Sequence, residues 1–393
     1  MAEALKNQFT LEAAHTIAKQ IKNVWPAFDT KAFINELQDS FDALDLMARA
    51  KAISHALGKT LPSHFADASQ ILINSLPAIT TNADNAEIDN EVEGKAEAEA
   101  EAEAETIPSG KIPFLYLPHT FYAAFYGLDD FDNAMRLQYE LTQRFTAEFS
   151  IRYFLEKHQQ ATLALFKTWA TDPSEHVRRL VSEGSRPRLP WAQRLKAFQQ
   201  DPSLTLELLE LLKDDPSLYV RRSVANHLND IGKDHPEALF ATTARWIKNA
   251  SPERLWLIEH SLRFAIKKGD AKALAILGYG EKAKVKIKQI KIWPSTCFIG
   301  QEVFFEFELH NHSTHAQNIM LDFAVHYVKA NGQTKAKVFK LKTLELACQQ
   351  KVKISKKISL KEMTTRQHYA GTHFIEAVLN GENTRLGQFE LLA

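Results

Sequence analysis

Two short strings hold the residues best suited to chemistry. "HVRRLVSEGSRPRLPWAQR" (176–194) crowds Arg178, Arg179, Arg186, Arg188 and Arg194 around one acid, Glu183, and one aromatic, Trp191. "DPSLYVRRSVANHLND" (215–230) repeats "DPSEHVRRL" (172–180) at an interval of 43 residues, then runs on into Asn226 and Asp230. Arginines are always charged and planar, so on a connection rich in proline they suit phosphate contact. A carboxylate among them would repel a polyanion. Glu183 must therefore either pair with an arginine or face an electron-poor centre in a substrate. On a helix at about 100° per residue, Val220, Val224, Leu228 and Ile231 form a core face. Arg222, Asn226 and Asp230 form a polar stripe opposite, which by itself reads as a solvated surface.

The elements that must carry these residues are helices. Apolar residues recur three and four apart, as in Ile17, Ile21 and Val24, then Phe33, Leu37 and Phe41. Helical patterning runs to about residue 280, with starts at Asp172-Pro173, Asp201-Pro202, Asp215-Pro216 and Ser251-Pro252. There the acid or hydroxyl caps free N–H groups, and proline in the first helical position forfeits no hydrogen bond. Gly232 and Pro236 are stop signals. Two helices per 43 residues fall within the roughly 40 to 47 residues of HEAT and armadillo repeats, which stack into solenoids with a binding surface.

From Lys282 the texture changes to short alternating segments, with Asn331-Gly332 and Asn380-Gly381 as hairpin turns. About seven such strands in roughly 110 residues predict an immunoglobulin-like sandwich. Cys297 and Cys348 read as free thiols, since Cys297 precedes the turn "FIGQ". The fold class expected is therefore multidomain: an all-α HEAT-like solenoid followed by an all-β immunoglobulin-like sandwich. Its parts are 1–80, helical; 81–106, an acidic low-complexity insert unable to bury a core; 107–281, helical repeats; and 282–393, the sandwich.

Charge is uneven. The 48 basic and 48 acidic side chains cancel, but 81–106 holds ten acids and one base, leaving 47 bases against 38 acids elsewhere. Residues 282–393 carry 17 Lys and Arg against 9 Asp and Glu. A polyanionic partner and lysine-rich solvated strand faces are both consistent with this. Two cysteines exclude a disulfide scaffold, the first residues lack the apolar core of a signal peptide, and no apolar run reaches membrane-span length. A soluble cytoplasmic protein is expected. His310, His312 and His315 lack an acid or cysteine at ligand spacing, so no metal or other cofactor is expected, and His227 reads as a core histidine.

The ordered strings "HVRRLVSEGSRPRLPWAQRL" and "DPSLYVRRSVANHLNDIGKDHP" closely resemble the AlkC-type alkylpurine DNA glycosylases of the HEAT-like superfamily. "FTAEFSIRYFLEKH" (145–158), "FDTKAFINEL" and "SPERLWLIEHSLRFAIKKGD" (251–270) extend the resemblance to the whole chain apart from the insert. It implies removal of cationic alkylated bases, chiefly 3-methyladenine and also 3-methylcytosine, from double-stranded DNA by a monomer, without a flipping pocket or lyase activity. Residue by residue it implies that Glu183, Asp230 and Glu148 are the acids at the lesion and Trp191 the aromatic bordering the sugar. Arg152, Arg178, Arg179, Arg186, Arg188, Arg221, Arg222 and Asn226 become candidates for DNA contact, with some arginines reserved for pairing with the acids. A non-enzymatic scaffold and a catalytically inactive damage-binding protein are the competing readings.

Overall fold

The computed structural model describes residues 9–37, 41–79, 114–280, 283–362 and 367–392; the acidic insert 81–106 lies outside them. Two compact units, Ala2–Asp230 and Ile231–Ala393, make up the chain.

The first unit is helical: α1 Leu11–Val24, α2 Thr30–Asn35, α3 Leu46–Thr60, α4 Phe65–Ser75, α5 Leu117–Tyr126, α6 Phe131–Thr142, α7 Ile151–Lys157, α8 Gln159–Trp169, α9 Glu175–Gly184, α10 Lys196–Gln200, α11 Ser203–Leu212 and α12 Leu218–Asp234, whose last turn enters the second unit. Short acids cap these helices: Asp29 accepts from the Ala32 amide and Asp45 from that of Ala48. Ile17 and Ile21 are buried as the spacing predicts, whereas Val24, in the last turn of α1, is exposed. Phe33, Leu37 and Phe41 are also buried, but as three separate anchors. Phe33 lies in α2, Leu37 just past its end and Phe41 in a single 3-10 turn.

The Asp-Pro starts work differently from the expectation. Asp172, Asp201 and Asp215 each accept from the amide of the serine two residues on, at 2.8, 2.9 and 2.9 Å. The resulting Asx turn leaves proline ahead of the helix proper. Among these four starts proline occupies the first helical position only at Pro252, where Ser251 caps the Arg254 amide; the stop signal Pro236 likewise opens the helix that follows it. Gly232 is not a stop either. The helix runs through it to Asp234, and a Cβ at 232 would stand 2.3 Å from Leu239 Cδ2, so glycine serves close packing.

The second unit continues with α13 Pro236–Trp246, α14 Pro252–Lys267 and α15 Ala271–Ile276, then β1 Val285–Trp293, β2 Thr296–Phe298, β3 Glu302–Asn311, β4 Gln317–Val328, β5 Thr334–Leu346, β6 Lys351–Ser359, β7 Gly371–Leu379 and β8 Glu382–Leu392. One sheet has the order β1-β3-β6, the other β2-β8-β7-β4-β5. Pairing is antiparallel except for β2 with β8. β2 is the strand the sequence conceals, because three residues are too few to show alternation. Val303, Phe305, Phe307 and Leu309 of β3 face inward onto Phe323, Ile375 and Phe389. Outward, Glu306 pairs with Lys291 and Lys353, and Glu302 with Lys357, so part of the lysine-rich face is neutralised across strands. The hairpin tip at Asn380 and Gly381 meets the turn between α14 and α15: a Cβ on Gly381 would lie 2.7 Å from Leu274 Cδ1 and 3.1 Å from Gly269 Cα. Cys297 and Cys348 are free thiols. Among the described residues no helix is long and apolar enough to cross a membrane, and no group of three His, Cys, Asp or Glu could hold a metal ion.

Candidate active site

The repeated Arg-Arg doublet divides its labour. In the first copy Arg178 Nη1 donates to the carbonyls of Asp172 and Pro173, at 2.8 and 3.1 Å. Arg221 Nη1 does the same in the second, to Asp215 and Pro216 at 2.7 and 2.8 Å. The first arginine of each doublet thus ties its helix to the turn that starts it. Arg178 also reaches forward, as its Nε and Nη2 grip both carboxylate oxygens of Asp215 at 2.6 and 3.0 Å. One copy's arginine is therefore latched to the next copy's capping acid, which is why acid, proline and doublet recur together.

The second arginine of the first copy points to chemistry. Arg179 Nη1 donates to Glu148 Oε2 at 2.7 Å, and its Nη2 stands 3.9 Å from Glu183 Oε1. Its guanidinium lies over the Tyr219 ring, 4.6 Å from the centroid. Glu148 also accepts from the Thr146 hydroxyl at 2.8 Å. Glu183, 2% exposed, accepts from Arg186 Nη1 at 2.5 Å and from the Ser223 hydroxyl at 2.6 Å. Arg186 Nε donates to Asp230 Oδ2 at 2.9 Å, and Asp230 is 1% exposed.

Glu148, Arg179, Glu183, Arg186 and Asp230 therefore form one chain of alternating charge, with three carboxylates against two guanidinium groups. Burial pushes the Glu183 carboxyl up, but Arg186 and Arg179, with the Ser223 hydroxyl, outweigh it and bring it down to about 2. Burial pulls Arg186 down, and Glu183 and Asp230 more than restore it. Glu183 is thus held as a carboxylate at neutral pH, charge that favours a positive centre nearby and offers no proton.

Trp191 belongs to the connection between α9 and α10. Its side chain is 63% exposed and its φ is +60°, a left-handed conformation unusual for a bulky residue. The tryptophan is held out toward solvent instead of joining the core, as a lone tryptophan would more often do.

Several residues expected at the DNA are engaged within the protein. Arg152 is 0% exposed and donates to the Gly184, Arg186 and Gln193 carbonyls. Arg178 and Arg221 hold turns, and Arg179 and Arg186 hold acids. Asn226, 8% exposed, shares with Asp230 a helix face that is buried, not the solvated stripe read from the periodicity. Residues 223–231 are all buried, so α12 is enclosed on every side there. Arg222 stays exposed, and Arg188 is half-buried. The sequence reading did not single out Ser223, Tyr219 or the Arg178–Asp215 latch. The latch alone had a signal, in the repeat itself. His227 is buried as expected, with Nδ1 3.0 Å from the Ser182 carbonyl.

The chain is similar to known proteins along its length. The family model of the DNA alkylation repair enzyme matches residues 140–268, and that of the YhaZ C-terminal Ig-like domain matches residues 286–393. The chain is 32% identical over 379 residues, 96% of each protein, to the uncharacterized protein YhaZ of Bacillus subtilis. It is 38% identical to the alkylpurine DNA glycosylase AlkC of Pseudomonas fluorescens, solved bound to DNA containing an abasic site analog, with a TM-score of 0.85 over 100% of both chains.

Proposed function

The chain belongs to the AlkC-type DNA alkylation repair family, and from that premise we propose that it is a monofunctional DNA glycosylase. Its substrate would be the N-glycosidic bond of cationic alkylated bases, 3-methyladenine first and 3-methylcytosine second, in double-stranded DNA, with the protein acting as a monomer in the cytosol. The observation that carries the reading is the buried Glu183–Arg186–Asp230 chain, together with an exposed Trp191 on the connection that bears Arg186, in a chain 38% identical to AlkC.

A base that already bears a positive charge leaves without a general acid. What remains is the developing oxocarbenium-like sugar. The carboxylates of Glu148, Glu183 and Asp230 stabilise it, and one of them orients the attacking water. Trp191 borders the sugar with its ring face, whose negative quadrupole suits the same charge. Arg179 and Arg186 hold the acids apart and keep Glu183 ionised. No lysine stands at a position matching a family nucleophile, so strand cleavage does not follow base release. Arg222, which stays exposed, is the foremost candidate for phosphate contact.

The test is release of free bases from methylated double-stranded DNA, separated by chromatography, for the parent, Glu183→Gln and Asp230→Asn. The parent should release 3-methyladenine, and each variant should be slower by roughly 10²-fold or more, with DNA binding retained. Tight binding without release would leave a damage-binding protein, and the catalytic roles would fall.

A further inference from the structure

We propose that Arg152 is a positioning residue for Trp191: its guanidinium splints the 184–193 connection that presents the indole, and it never touches DNA. The assignment rests on the glycosylase reading only for what Trp191 does; the splint stands apart from it.

Arg152, on α7, is among the largest fully buried side chains of the protein. Arginine is rarely enclosed unless a carboxylate pays for it. Here every hydrogen bond made by Arg152 ends on a backbone carbonyl. Nη1 donates to Gly184 and Arg186 at 3.0 and 2.7 Å, while Nε and Nη2 both donate to Gln193, at 2.9 and 2.6 Å. Glu156, Glu183 and Glu148 favour its charge from a distance, but no carboxylate takes one of its hydrogen bonds. The guanidinium joins the two ends of one connection, residues 184–186 and residue 193, through a single rigid plane.

Between those ends sits Trp191 with its left-handed backbone. A bulky residue persists in that conformation only where its surroundings over-determine it, and an exposed side chain receives little help from packing. The clamp at both ends of the connection supplies the constraint. Lysine cannot replace it, because one ammonium cannot span carbonyls that a planar fork reaches from two edges.

Arg152→Met, Arg152→Lys, Trp191→Ala and the double variant Arg152→Met/Trp191→Ala test this. Amide hydrogen exchange should speed up over residues 185–193 in both Arg152 variants and stay unchanged in the rest of the helical unit. The single-turnover rate of base release at saturating enzyme should fall about 10- to 100-fold in Arg152→Met and in Trp191→Ala, with affinity for undamaged DNA kept. The double variant should fall no further than the worse single, since both remove the same interaction. Unchanged exchange, or multiplicative losses in the double variant, would overturn the assignment. Arg152→Lys keeps the charge and most of the volume, and it decides the matter alone if Arg152→Met does not fold. A parent without glycosylase activity would sink the functional reading, and the exchange data would still decide the splint.

Discussion

At the scale of the residue, the site is a set of titrations settled by neighbours. Glu183 sits below its ordinary value because guanidinium charge outweighs burial, so its carboxylate contributes stability above about pH 4.5 that is lost only as pH falls toward 2. Base release should therefore show no acid limb from Glu183 across the working range. His227 behaves in the opposite sense: burial holds it neutral, down to about 4 from an ordinary 6.5. The unfolded chain takes up that proton first, so stability is full above about pH 6.5 and drains away between 6.5 and 4. At about 1.4 kcal/mol per pH unit the loss is on the order of 3 kcal/mol. Urea unfolding at pH 7 and pH 4.5 should show a smaller drop for His227→Gln than for the parent. Equal drops would mean that His227 is protonated in the fold.

At the scale of the element, the two copies of the repeat make a prediction that separates latch from contact. Arg178 holds its own turn and Asp215 of the next copy in a largely buried pair, so Arg178→Ala should cost about 2 to 4 kcal/mol in chemical unfolding. Arg222 stands at the second doublet position, exposed, and Arg222→Ala should stay within about 0.5 kcal/mol. The order should reverse for DNA. Arg222→Ala should weaken binding to any sequence and lower the slope of log K against log salt by about 1. If Arg222→Ala leaves that slope alone, Arg222 is not a phosphate contact. Helix starts, helix periods and the doublet were all visible in the sequence. Which of the four arginines faces outward was not, because doublet neighbours lie only about 100° apart and the turn-binding role depends on folded-back carbonyls.

At the scale of the whole molecule, the sandwich and the helices α13–α15 are one compact unit, and two glycines at the α14–α15 turn and the β7–β8 hairpin let backbone approach backbone. Gly381→Val would combine a φ of +81° with contact against Leu274 and Gly269, and should destabilise the protein by at least about 2 kcal/mol. Gly332→Val, at a φ of +75° with nothing within 4 Å, meets only the backbone term and should cost about 1 to 2 kcal/mol. Thermal denaturation of the two variants measures the difference. Matching midpoints would mean that the hairpin tip does not press on the helices.

The sequence by itself determined the class of fold, because helix and strand follow from hydrophobic periods of three to four and of two that act over a few residues. It also determined that acids sit among arginines, and the ordered strings that carry the family resemblance. Tertiary structure decided the pairing. Arg179 with Glu148, Arg178 with Asp215, Ser223 with Glu183 and Arg186 with Asp230 are separated by 31, 37, 40 and 44 residues. Neither period nor composition ranks one partner over another at such distances. The choice falls to which side chains the stacked helices exclude from water together, since a charge removed from water must find an opposite charge or a carbonyl within reach.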